Sequence, residues 1–231
     1  MNTIKRIMYK LVKRFFDFLF AFFGILLLSP FFVLLIFILL LTGEHRVFYL
    51  QERLGYLNRP FKIIKFATML KDSPNIGTGS ITLRGDARIL PFGHFLRKSK
   101  INELPQLINV LMGDMSFVGP RPQMAIDLKK FPLEVQQKMY YSKPGITGIG
   151  SVVFRDEEKW ISAHQGDKHE FYKSHIAPYK GELELWYLKN SNVGVDINIL
   201  FCTAWVILFP KSQIVYSMLP TLPKLPVNLS F

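Results

Sequence analysis

Two stretches of this chain bring phosphate-handling residues close together: LRKSKINELPQ, residues 96–106, and GDMSFVGPRPQ, residues 113–123. Between them Leu104, Leu107, Ile108 and Leu111 recur at three- and four-residue intervals, which predicts an amphipathic helix that stops at Gly113. Asn102 can cap that helix, leaving Pro105 in the first turn, where its missing N–H costs little. A helix N-terminus offers unpaired N–H groups and the positive end of a dipole, so it suits a phosphate, and Arg97, Lys98 and Lys100 would add charge. Glu103 faces the same pole. A carboxylate beside bound phosphate needs a cation to offset the repulsion, and a hard divalent ion with oxygen ligands, Mg2+ above all, would supply it. The plainer reading is that Glu103 only complements the dipole and Asn102 only caps the helix.

Other motifs are weaker alone. Gly119-Pro120-Arg121-Pro122 is a stiff turn that would fix where one guanidinium points, and guanidinium suits a bidentate grip on phosphate. Lys143-Pro144-Gly145-Ile146-Thr147-Gly148 is a turn by default and a backbone cradle if it binds a ligand. His164, His169 and His175 lack metal-ligand spacing and read as surface residues; Arg155, Asp156, Glu157 and Glu158 read as a solvated mixed-charge face. Cys202, the single cysteine, sits in an apolar run, which excludes an internal disulfide and a Cys-rich metal site and points to simple packing.

These residues must be positioned by the elements around them. VFYLQERLGY and RPFKIIKFATM, from Val47 to Met69, read as two short extended segments joined by a turn at Asn58-Arg59-Pro60. KDSPNIGTGSITLRGD, residues 71–86, reads as a surface loop able to carry function. GELELWYLKNS reads as helix, and INILFCTAWVILF, residues 197–209, is apolar but too short to span a bilayer, so it should dock on the domain or lie in the interface.

The N-terminus places Lys5, Arg6, Lys10, Lys13 and Arg14 before an apolar run from Phe18 to Leu41. As one straight helix that run would measure about 36 Å, enough for a hydrocarbon core of about 30 Å. It is too long for a typical signal-peptide core and no small-residue cleavage site closes it. Ser29-Pro30 near its middle predicts a kink. Basic residues flank both ends, with Arg46 and Arg53 following, so both ends would prefer the cytoplasm, which a re-entrant hairpin allows and a straight span does not; on the residues alone the hairpin and an ordinary kinked span stand about even. Asp17 should lie at the interface or pair with a nearby base. The net charge of +12 draws the chain to polyanions, whether nucleic acid, anionic lipid or phosphorylated substrate. With no recognisable nucleic-acid module, nucleic acid is the weakest of the three.

In order along the chain, KRFFD with the Ser29-Pro30 segment, QERLG, PFKIIKF, GDARI, FLRKSKINELPQLINVLMGDMSFVGPRP and KPGITG resemble the bacterial sugar transferase family, the monotopic polyprenyl-phosphate phosphoglycosyl transferases. The resemblance implies an α/β fold, mostly helical with few short strands: a small cytoplasmic catalytic domain on an N-terminal re-entrant membrane helix hairpin. It divides the chain into a basic N-terminus and membrane helix (1–45), a catalytic domain (46–195) and an apolar interfacial or docking segment (196–231). The implied activity is Mg2+-dependent transfer of a sugar 1-phosphate from a nucleoside diphosphate sugar, usually a uridine one, to undecaprenyl phosphate, initiating a surface glycan at the bacterial inner membrane. The implied partners are those two substrates and membrane lipid, with a second copy and downstream glycosyltransferases as protein partners and no nucleic acid.

Family position adds Lys65 and Arg88 to Arg97, Gly119, Pro120, Arg121 and Pro122 on the phosphate side. The family uses an Asp-Glu pair, Asp as covalent nucleophile and Glu beside it near the metal; here the pair is Asn102 and Glu103. A neutral amide oxygen cannot act as that nucleophile. Ala67 stands where the family often has Arg, and Gly150 where larger members often have Trp. A non-catalytic relative that serves as a scaffold is the alternative that the lost Asp raises, and retention of Glu103 within its basic surroundings argues against it.

Overall fold

The structure, a computed structural model, describes residues 3–76, 85–210 and 212–226. Helix α1, Thr3–Leu41, runs without interruption through Pro30 and begins well before the apolar run, because the basic residues at its start are themselves good helix formers. Proline at 30 leaves the Leu26 carbonyl without its helical donor, and the neighbouring Ser29 hydroxyl donates to that carbonyl at 2.8 Å. The Ser-Pro pair is thus locally self-satisfying. One stripe of α1 rests on the domain: Asp17, Ala21, Leu35 and Leu39 are buried, and Gly24 sits against Leu107. The opposite stripe, including Phe15, Phe18, Phe23, Leu27 and Phe37, is exposed.

Strands β1 (Phe48–Leu54) and β2 (Pro60–Phe66) pair antiparallel, with Phe48 opposite Phe66 and Leu54 opposite Pro60, in the hairpin expected from the sequence. Their turn, Tyr56–Asn58, holds Leu57 and Asn58 at positive φ. Helix α2 (Pro91–Lys98) leads into a 3-10 turn, Ile101–Glu103, and then α3 (Gln106–Met112), which ends as expected at Gly113 with φ +92°. Strand β3 (Ser116–Val118) pairs in parallel with β4 (Gly145–Thr147) across the short helices α4 (Ala125–Leu128) and α5 (Leu133–Lys138). There follow α6 (Ile149–Val153), α7 (Glu157–Ala163), α8 (Lys168–Phe171) with a π turn to Ile176, α9 (Ala177–Asn190), α10 (Val193–Leu208) and α11 (Ile214–Met218). The chain is therefore mostly helical with few short strands.

The main core gathers Ile149, Ile176, Leu183, Tyr187, Ile199 and Cys202, so α9 and α10 pack as expected and Cys202 is simply buried. Helix α10 buries Ile199, Cys202 and Val206 while exposing Ile197, Phe201 and Leu208. Side chains of the KRFFD segment tie α1 to this core. Lys13 binds Asp196 at 2.6 Å, Arg14 donates to the carbonyls of Val110 and Leu111 at the end of α3, and Asp17 accepts from the Phe117 N–H at 3.0 Å. Asp17 thus serves strand β3, and neither the interface nor a basic side chain. The mixed-charge face also differs from expectation. Glu157 pairs with the buried Lys180 and Nη1 of Arg155 is buried with no hydrogen-bond partner among the described residues, while Asp156 is exposed and the Glu158 side chain lies outside what is described.

Candidate active site

The catalytic reading of residues 96–123 starts from a turn, not a helix cap. Lys100 takes a left-handed conformation, φ 60°, and swings the chain into the 3-10 turn that carries Asn102 and Glu103. Pro105 then occupies the position before α3, so Asn102 caps nothing, contrary to expectation; the two extra turn residues move it off the helix axis. Asn102 is 6% exposed and its Oδ1 has no hydrogen-bond partner among the described residues. A buried amide oxygen left open costs free energy, and at functional sites such atoms commonly await a ligand.

Glu103 lies in a ring of cations. Its Oε1 is 3.2 Å from Nη2 of Arg121 and 3.8 Å from Nζ of Lys65, while no partner holds Oε2 among the described residues. Burial alone would raise the carboxyl pKa, but Arg121, Lys65 and Lys100 outweigh it and hold the group well below the ordinary carboxylate range. Burial pushes Lys65 down to about 7 against the pull of Glu103, and the neighbouring charges of Arg121, Arg53 and Arg97 add to the fall. Arg121 is raised, chiefly by Glu103. With one carboxylate facing several cations, the cluster is short of negative charge, and phosphate oxygens would supply it.

Each member is held by a different element. Lys65 projects from β2, and that strand is fixed to α3 by Asn109, whose Oδ1 accepts from Ile64 N–H at 3.0 Å and whose Nδ2 donates to the Lys62 carbonyl at 2.9 Å. Arg121 follows β3, and its turn is fixed by Tyr140, which accepts from Gln123 N–H at 2.7 Å and donates to the Arg121 carbonyl at 2.9 Å. Arg53 donates to Gln51 and to the Pro122 carbonyl and lines the cleft together with Lys65, Gln106, Arg121, Pro122 and Gly145. The Gly145 N–H donates to the Pro120 carbonyl at 3.0 Å, and a Cβ at Gly145 or Gly148 would overlap the backbone of Gly119. KPGITG therefore serves first to let two backbones touch, which locks the Gly119-Pro120-Arg121-Pro122 turn.

Of the residues singled out from sequence, Glu103, Asn102, Lys65, Arg121, Pro122, Gly119 and Pro120 come together. Arg97 contacts the Met69 sulfur at 4.0 Å and stands near enough for its charge to act on Lys65. Arg88 goes elsewhere: its guanidinium forks onto Asp86 and donates to the carbonyls of Ser73 and Ile76, stapling the loop whose residues 77–84 lie outside the described residues. Sequence reasoning missed Arg53, Asn109 and Tyr140. An Asn inside the apolar face of a helix was the one available signal for Asn109; Tyr140 left none.

A cluster of cations around one carboxylate thus sits on a small helical domain strapped to a helix long and apolar enough to cross a membrane, an arrangement with the chemistry to hold phosphate groups. The chain belongs to the bacterial sugar transferase family, which matches residues 8–210. It is similar to the UDP-N-acetylgalactosamine-undecaprenyl-phosphate N-acetylgalactosaminephosphotransferase of Aeromonas hydrophila, 34% identical over 87% of this chain and 44% of the relative. The UDP-galactose-lipid carrier transferase of Erwinia amylovora is 33% identical over 90% of this chain and 42% of the relative. A sugar transferase of Bacillus subtilis, EpsL, is 33% identical over 84% and 85%. The chain thus spans less than half the length of the first two.

Proposed function

We propose that this protein transfers a sugar 1-phosphate from a UDP-sugar to undecaprenyl phosphate on the cytoplasmic face of a bacterial inner membrane, initiating a surface glycan. The observation that carries this reading is Glu103 held between Lys65 and Arg121, on the turn that also carries Asn102 with its buried amide oxygen. The names of the relatives, transferases acting with UDP-sugars and undecaprenyl phosphate, support transfer over a non-catalytic scaffold.

Asn102 cannot attack phosphorus, and Glu103, a carboxylate of depressed basicity with one oxygen engaged by cations, is a poor nucleophile. Direct displacement follows. An oxygen of the lipid phosphate attacks the sugar-bearing phosphorus, the bond from that phosphorus to the nucleoside monophosphate oxygen breaks, and the nucleotide leaves with the electron pair. Lys65 and Arg121 neutralise the charge that spreads over the transferring group, and positioning supplies most of the acceleration.

Mg2+ fits the oxygen donors present. Asn102 Oδ1 and the Glu103 carboxylate would hold it, and since no cluster of three His, Cys, Asp or Glu forms among the described residues, substrate phosphates and water would complete its shell. When bound, it would offset the negative charge of the diphosphate.

Purified protein incubated with a panel of UDP-sugars and undecaprenyl phosphate should yield UMP and a lipid-linked sugar diphosphate, and Glu103→Gln should lower the rate at least about a hundredfold. No phosphosugar adduct should be trapped on the protein during turnover. An adduct on Glu103 would replace direct displacement with a two-step route, and wild-type turnover by Glu103→Gln would remove this cluster from catalysis.

A further inference from the structure

A second cavity, of about 330 Å³, opens where α1 ends, walled by Leu39, Ala67, Met69, Leu90 and Phe92 together with the exposed Glu44 and Arg46. Its lining is mostly apolar, Glu44 and Arg46 being the charged residues in it. Building on the transferase reading, we infer that this cavity receives the first isoprene units of the polyprenyl phosphate, so that the lipid enters along the end of α1 with its phosphate directed at Lys65 and Arg97.

Three features of the structure point there. Ala67 continues the extended line of β2, its N–H bonded to the Val47 carbonyl at 2.9 Å, so it faces the same side as Lys65 two residues earlier. That places the cavity wall roughly 7 Å along the strand from the catalytic lysine. On the far side, the Arg97 guanidinium touches Met69, a wall residue, which puts a cation between cavity and cluster. Thr42 and Gly43, just past the end of α1, also line the cavity, and the neighbouring Leu41 is exposed, where a membrane lipid would already be. Glu44 would repel an anion, but its carboxylate is engaged by the Lys71 N–H.

Size agrees with this occupant. A cavity of about 150 Å³ takes the six carbons of benzene, so this one would take roughly a dozen, or about two isoprene units. Ala67 is buried in that wall, so a larger side chain at this position would take up part of the space.

The test uses the full-length protein in detergent with a polyprenyl phosphate carrying a diazirine on its second isoprene unit. Photolysis should label residues within Leu39–Arg46, Ala67–Met69 or Leu90–Gly93, and excess undecaprenyl phosphate should abolish that labelling while phosphatidylglycerol does not. Labels confined to other residues, or equal competition by phosphatidylglycerol, would overturn the inference. Because labelling needs no turnover, it separates this subsite from the transferase reading, which fails by itself if wild type makes no lipid-linked product. In the active protein, Ala67→Phe should raise the KM for undecaprenyl phosphate about tenfold while leaving that for the sugar nucleotide unchanged. An unchanged lipid KM in a folded, active variant would also overturn it.

Discussion

At the scale of single residues, the site is governed by how burial and neighbouring charge divide the work between Lys65 and Glu103. Lys65 loses its charge as pH rises through about 7, and a neutral amine holds phosphate poorly. Accordingly kcat/KM for the sugar nucleotide should fall as pH rises above about 7, and Lys65→Arg, which stays charged, should lose that limb. Stability should move the other way. An unfolded lysine keeps its proton to about pH 10.4, so between about 7 and 10 the unfolded chain binds more protons and the folded state gains as pH rises. Falling activity with rising thermal stability over that window separates titration of Lys65 from denaturation; a parallel loss of both would refute the assignment.

At the scale of elements, the site depends on a hairpin and a helix being stitched together by one buried amide. Asn109 is fully buried and satisfies both Ile64 N–H and Lys62 carbonyl on the free edge of β2. Asn109→Ala should cost about 2–3 kcal/mol, because two backbone groups are left without partners, and should lower kcat as Lys65 loses its register with Glu103. Chemical denaturation and steady-state rates check this; a stable variant with lowered kcat would still support the positioning role, whereas unchanged values for both would not. The same element shows what the sequence could disclose. Periodicity placed the end of α3 at Gly113, and β-branched and aromatic runs around a turn placed the hairpin, because both signals are local. The cap assigned to Asn102 failed because a 3-10 turn preceded by a left-handed lysine is a product of tertiary packing, which propensity does not register. Arg88 was drawn to the phosphate side by family position, and only its contacts with Asp86 and two carbonyls reveal a stapling role. Asn102 and Glu103 stood out as residue types, whereas Arg53 and Tyr140 reach the site from distant segments and carried no local mark.

At the scale of the whole molecule, the question is how a chain with a helix long enough to cross a bilayer sits in one. Contacts to the domain begin at Tyr9, which donates to Asp196, and continue to Leu39, buried beside Phe66 and Leu96. From Tyr9 to Leu39 the helix rises roughly 45 Å, longer than a hydrocarbon core of about 30 Å. A straight crossing would either drag the charged domain into lipid or strip it from one half of α1, breaking the Lys13–Asp196 pair or exposing Leu35 and Leu39. Keeping both ends on the domain side costs neither, and the exposed stripes of α1 and α10, linked through that same pair, would then dip together into one leaflet. Basic residues at both ends of the apolar run agree with a cytoplasmic location for each. In a Cys202→Ala background, Lys5→Cys and Thr42→Cys should therefore react alike with a membrane-impermeant maleimide, both protected in intact cells and both labelled in inverted vesicles. Labelling of Lys5→Cys and Thr42→Cys from opposite sides would establish a spanning helix, and the packing of Leu35 and Leu39 against the domain would then have to be given up.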